Sequence, residues 1–120
     1  MIAAWELKST LPHFTGTGCY IRDPLTGLLY TDGIQHLADR AEANWLISDI
    51  AAIWRHHPAV KEARFQVWIL IVLDGRAVLS CRKDTGAPIL YTKEYDYTDF
   101  PVGTWKMYLV DGVLMVPSEY

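Results

Sequence analysis

Cysteine is scarce in this chain: Cys19 and Cys81 are the only two, and they stand in no CxxC or CxxxH spacing. A disulfide framework and a structural zinc site are therefore not expected. Cys81 alternates with Ala77 and Leu79 and reads as a small buried hydrophobe. Cys19 falls in a loop, where nothing nearby would activate its thiol. Basic charge is short as well, with 11 Lys and Arg against 14 Asp and Glu and a net charge of −3. A general nucleic-acid binder needs clustered cations for its phosphate contacts, so no direct nucleic-acid partner is expected. The acidic excess is also too mild for a DNA mimic, and its local cluster, Glu94, Asp96 and Asp99, reads as a solvated loop. No apolar run approaches the roughly 20 residues of a membrane-spanning helix. The N-terminus carries no basic segment leading into an apolar one, so neither a signal peptide nor a membrane partner is expected, and the expected setting is cytoplasmic.

Catalytic patterns are missing too. Of the four histidines, His56 and His57 are adjacent and would leave a helix about 100° apart, whereas a chelating helical pair wants i, i+4. They suit a helix C-terminus beside Arg55, where they offset the macrodipole. His13 and His36 have no local partner, and there is no HExxH. Ser80 and Cys81 fall mid-strand, Ser118 lies near the terminus, and none sits in a G-x-S-x-G elbow. Thr15-Gly-Thr-Gly18 lacks the Lys-Ser/Thr end of a phosphate loop. Asp32 with Asp39, and Asp96 with Asp99, are explained by capping and solvation. No metal, no cofactor and no catalytic residue is expected.

What the chain does have is apolar surface. Hydrophobic residues make up 51%, and there are five Trp, seven Tyr and three Phe. These aromatics either fill a Trp-rich core or leave some rings outside as a contact surface. The most apolar stretch, Phe65-Gln-Val-Trp-Ile-Leu-Ile-Val-Leu73, ends at Asp74-Gly75, a dipeptide suited to positive φ. It reads as a central strand entering a tight hairpin, with helices over at least one of its two apolar faces. Strands over 77–81, 89–95, 105–110 and 113–116 follow, the last two joined at Asp111-Gly112. Upstream, Met1–Leu11 suits a short helix with Ile2, Trp5 and Leu11 inward, ended by Pro12. From Thr31 or Asp32 as N-cap, a helical region runs to about Arg55, and Pro58 closes it. Its stripes, Ile34/Leu37/Ala38/Ala41/Trp45 and Leu46/Ile47/Ile50/Ile53/Trp54, lie roughly opposite each other on one straight helix. Either two helices meet near Ala43-Asn44 or one helix is sandwiched; the pattern favours the break. The expected fold is a single α+β domain spanning 1–120, N-terminal helices packed on a C-terminal antiparallel β-meander of four to five strands.

The residues left for function are those of a contact surface. Tyr20, Arg22 and Tyr30 flank the loop before the helices. Tyr91, Tyr95 and Tyr97 alternate along one strand and so share a face, with Asp99 just beyond. If the helices cover the opposite face, this row is open to a protein partner, for which Tyr and Arg are the usual anchors. The alternative is that the row packs under the N-terminal loop. A small hydrolase using Asp32 or His36, or a homodimer paired through a sheet face or edge, are the alternatives.

Several segments also form a recognisable series. They are Phe14-Thr-Gly-Thr with Tyr20 and Arg22, Leu29-Tyr-Thr-Asp-Gly33, Trp45-Leu46, Phe65-Gln-Val-Trp68, Tyr97-Thr-Asp-Phe-Pro101, and Leu114 through Pro117-Ser-Glu-Tyr120. In this order the chain resembles a small bacterial family of unknown function associated with plasmids, integrative elements and phages. That resemblance carries no activity and transfers no catalytic residue. Its usual setting implies an accessory protein of a mobile element, where small acidic proteins often inhibit host defences in the manner of anti-CRISPR proteins. The expected function is then a non-enzymatic protein that binds a CRISPR-Cas or other host defence complex and acts by steric occlusion through its tyrosines and loop residues.

Overall fold

The computed structural model describes residues 2–14 and 20–120, so Cys19 and Thr15-Gly-Thr-Gly18 lie outside the described residues. A short helix α1 (Ala4–Thr10) runs into a single 3-10 turn over Leu11–His13. Two three-residue strands follow, β1 (Tyr20–Arg22) and β2 (Leu29–Thr31), then the helices α2 (Asp32–Arg40), α3 (Asn44–His56) and α4 (Pro58–Glu62). The remaining strands are β3 (Phe65–Leu73), β4 (Arg76–Arg82), β5 (Ile89–Tyr95), β6 (Gly103–Val110) and β7 (Val113–Met115). They form one seven-stranded sheet in the order β1-β2-β7-β6-β3-β4-β5.

The fold is α+β, with β3 at the centre between β6 and β4. Two features depart from a plain meander of four to five strands. β6 returns beside β3 instead of β5, over a connection whose Thr98 amide donates to Gly75 O at 2.7 Å, across the end of the β3–β4 hairpin. Ahead of the helices, β1 and β2 extend the sheet, and β2 joins β7 in parallel. Both predicted Asp-Gly turns are made in the left-handed region, Asp74 and Gly75 at φ 54° and 73°, Asp111 and Gly112 at φ 49° and 80°.

The helical region does break. Thr31 caps α2, its Oγ1 accepting from the Ile34 amide at 3.2 Å. At the other end Glu42 turns the chain at φ 53°. The Glu42 amide donates to Asp39 O (3.3 Å) and that of Ala43 to Ala38 O (2.8 Å), the two bonds of a Schellman motif. Glycine is the usual residue there, since a Cβ in left-handed backbone costs about 1–2 kcal/mol. Glu42→Gly is therefore expected to raise unfolding free energy by about 0.5–1 kcal/mol, read in urea. Pro58 opens α4 instead of closing the helical region, because its fixed φ suits a first turn and the His57 ring accepts from the Val60 amide at 3.4 Å. In α1 the inward residue is Leu7, fully buried, and not Trp5, 73% exposed. The helix starts only at Ala4, so Ile2, buried as expected, lies ahead of it, and Trp5 turns outward.

All the helices' apolar stripes meet one face of the sheet. That face carries Gln66, Trp68, Leu70 and Val72 of β3, Ala77, Leu79 and Cys81 of β4, and Trp105, Met107 and Leu109 of β6, all buried. Cys81 is the expected interior hydrophobe, and burial pushes its thiol pKa up to about 12. Gln66 is the one long polar side chain in this layer. Its amide donates to Val60 O and to Ala63 O (2.9 Å), and its oxygen accepts from Trp68 Nε1 at 2.9 Å.

Candidate functional site

Among the described residues no helix lies over the opposite face of the sheet. Register places Phe65, Val67, Ile69, Ile71 and Leu73 there, beside Arg76, Val78, Ser80 and Arg82 of β4 and Lys106 and Tyr108 of β6. One half is covered by the chain's own C-terminus. Tyr120 packs on Phe65 and Tyr108, with ring centroids 5.4 and 5.1 Å away, and Val67, paired with Tyr108, is buried. The other half is open. Ile71 and Val78 are cross-strand partners, 50% and 39% exposed, and Leu73 beside them is 63% exposed. Side chains in such pairs lie about 5 Å apart, so the three form one continuous aliphatic block. Arg76 and Lys106 stand on the same face and pair with no carboxylate among the described residues, while β5 contributes Glu94.

A second feature lies where α3 passes over β5, the sheet's edge. Asp49 of α3 ties the two together: Tyr95 Oη donates to Asp49 Oδ2 at 2.6 Å and Lys93 Nζ reaches the same oxygen at 3.2 Å. Burial, the hydrogen bond and the charge of Asp49 all hold the Tyr95 phenol protonated well above its usual range. Trp45 lies against Tyr95 with centroids 5.0 Å apart, and His57 meets Tyr91 edge-on at 5.6 Å. Beyond Tyr95 a depression of about 360 Å³ opens between Trp45, Asp49, Tyr97 and Asp99. A shallower one of about 410 Å³ lies among Ala52, Ile53, His56, Pro58 and Tyr91.

Residues 5–120 match a family model described as a family of unknown function, DUF6876. The chain belongs to the DUF6876 family. No curated protein and no solved structure matches it.

The tyrosines predicted for a contact surface fall at opposite ends of this DUF6876 sheet. Tyr20 and Arg22 belong to β1 and Tyr30 to β2, six and five strand spacings from β5, roughly 29 and 24 Å. They form no common site with Tyr91, Tyr95, Tyr97 and Asp99. Tyr20 and Arg22 are exposed, whereas Tyr30 is half-buried, and its phenol pKa is raised by burial and by Asp23 and Asp39. Tyr91 and Tyr95 do share a face, as alternation requires, but it is the helix-covered one. Their partners Cys81 and Ala77 are buried, which fixes the direction of the row. Tyr97 lies beyond the end of β5 and is 80% exposed, with Asp99 also exposed in the loop. The residues of the open face, Ile71, Leu73, Arg76, Val78 and Lys106, and those of the cleft, Trp45, Asp49 and Lys93, were not singled out from sequence. The alternation Arg76/Val78/Ser80/Arg82 against Ala77/Leu79/Cys81 was the available signal for the face.

The groups considered for hydrolysis serve local structure. Asp32 accepts from the Gly33 amide at 3.1 Å in the first turn of α2. His36 lies 3.0 Å from Thr10 Oγ1 and against the Phe14 ring, and burial lowers its pKa. Among the described residues no group of three or more His, Cys, Asp or Glu could hold a metal ion, and no helix is long and apolar enough to cross a membrane.

Proposed function

We propose that this protein is a non-enzymatic protein-binding module whose contact surface is the open half of its sheet. The observation that carries this reading is the contiguous exposure of Ile71, Leu73 and Val78 on the central strand and its neighbour. Scattered surface aliphatics are ordinary, but a continuous block on the central strands of a sheet is the mark of an interface. Arg76 and Lys106 on the same face, in a chain of net charge −3, favour a partner patch that is apolar at its centre and carboxylate-rich at its rim. The resemblance to accessory proteins of mobile elements supplies the setting: the partner is a subunit of a host defence complex, blocked by steric occlusion.

The test is a tagged recovery from a bacterial host carrying CRISPR and other defence systems, with Leu73→Glu and Val78→Glu run beside the parent chain. Both positions are exposed strand sites, so the variants are expected to keep the parent's melting temperature within a few degrees. One defence complex recovered in near-stoichiometric amount, and reduced at least about tenfold by each variant, is the expected result. Equal recovery by parent and variants would overturn the surface assignment. A solution dimer dissolved by the same variants would transfer the face to a second copy.

A further inference from the structure

We propose that the margin between α3 and β5 is a second, separate site, which takes an extended peptide segment as an added strand on β5 and seats a basic side chain between Trp45, Tyr97 and Asp99. β5 is the end of the sheet, and its outer side has no partner among the described residues. An edge strand leaves alternate N–H and C=O groups free, the template for strand addition.

The dimensions agree with such a guest. Trp45 touches Tyr95 at one end of the seam and His57 touches Tyr91 at the other, so α3 runs alongside β5. From Trp45, which lines the first depression, to Ile53, which lines the second, the helix rises about 12 Å. From Tyr95 to Tyr91 the strand covers about 13 Å. The two depressions lie at the two ends of this interval, divided by the Lys93–Asp49–Tyr95 contact. On a strand laid along β5, side chains at i and i+4 point the same way and are spaced by the same distance, one for each depression.

The chemistry of the two ends differs. The first offers aromatic rings and two carboxylates, Asp49 and Asp99, a combination that recognises an ammonium or guanidinium group. Lys93 already illustrates it from inside the chain, with Nζ 3.2 Å from Asp49 and 5.1 Å from the Tyr95 ring centroid. Asp99 has no cation of its own among the described residues. The second end, with Ile53, Pro58 and Tyr91, suits an aliphatic side chain. The guest is thus an extended segment with Arg or Lys at one position and a Leu-like residue four positions away.

The probe is a fluorescein-labelled, end-blocked heptapeptide, Thr-Arg-Thr-Val-Thr-Leu-Thr, with its reversed sequence as a second probe because a strand can add in either direction. Each is titrated with the full chain and read by anisotropy. One of the two is expected to saturate, and its counterpart with Glu in place of Arg to bind at least about tenfold more weakly. Asp99→Asn and Tyr97→Ala, both exposed side chains, are expected to weaken binding by a similar factor. Leu73→Glu on the open face should leave it unchanged, so failure of the groove and failure of the face are separate results. The proposal is overturned if neither probe saturates the folded protein, if the Glu peptide binds equally well, or if Asp99→Asn and Tyr97→Ala change nothing. A dimer abolished by Thr92→Pro in β5 would give the edge to a second copy and would overturn it as well.

Discussion

Replacing Gln66 by Leu is expected to lower unfolding free energy by about 2–4 kcal/mol, although the two side chains are close in volume. Gln66 is fully buried and ties its own strand β3 to α4 through Val60 O and to β4, whose Cys81 Sγ lies 3.7 Å from its oxygen. Its removal strips the Trp68 indole N–H of its acceptor and the Ala63 carbonyl of its donor, while Val60 O keeps the Ala63 amide. Each buried polar group left unpaired costs about 1–3 kcal/mol, which is why a hydrophobic replacement in a hydrophobic layer destabilises. Urea denaturation gives the value directly. In a Trp68→Phe background, which has no indole donor to orphan, the cost of Gln66→Leu should fall by about 1 kcal/mol or more. A loss below about 1 kcal/mol in the parent background would mean that the network contributes little to stability.

Gly33→Ala is expected to cost about 2 kcal/mol or more, against the usual gain of about 1 kcal/mol when Ala replaces Gly inside a helix. Gly33 has no unusual φ to protect; what it protects is space. A Cβ there would stand 2.5 Å from Glu119 Oε1 and 2.9 Å from Val116 Cγ2. Glu119 is held where it is, accepting from Thr31 Oγ1 at 2.6 Å and from the Val116 amide at 3.1 Å. Val116 is buried, so neither neighbour can simply swing away. The carboxylate at the start of α2 also complements the helix dipole, so its displacement loses a favourable contact besides creating a clash. Thermal melts of Gly33→Ala, Glu119→Ala and the double variant form a cycle. The two losses should overlap, the pair costing less than the singles summed; strict additivity would mean that Glu119 is not what Gly33 makes room for.

These residues show where the sequence was readable. Thr31-Asp-Gly33 could be read as a helix start because capping is local, and the two Asp-Gly turns because positive φ leaves few residue choices. The break between α2 and α3 was readable because two stripes half a turn apart cannot both face one sheet. Why the motif carries Glu119 was not readable, since the Glu119–Gly33 contact spans 86 positions of chain. The return of β6 beside β3 and the parallel pairing of β2 with β7 were hidden for the same reason. Hairpin signals name sequential neighbours, and non-local pairing is settled by which faces fit together. The row Tyr91/Tyr95 carried the right period but not its direction. Only its register against the apolar set Ala77/Leu79/Cys81 turned it toward α3, and placed Ile71 and Val78 outside.

The open face itself is tested most directly by photo-crosslinking. p-Benzoylphenylalanine would replace Val78 on that face, and Ser48 on the exposed side of α3 as the comparison. Each chain is irradiated in the host lysate from which the partner is recovered. The expected result is one covalent adduct at Val78, of a single defined mass and lost on adding Leu73→Glu, with none at Ser48. An adduct at Ser48 and none at Val78 would contradict it, and would move the contact surface from the sheet to the helices.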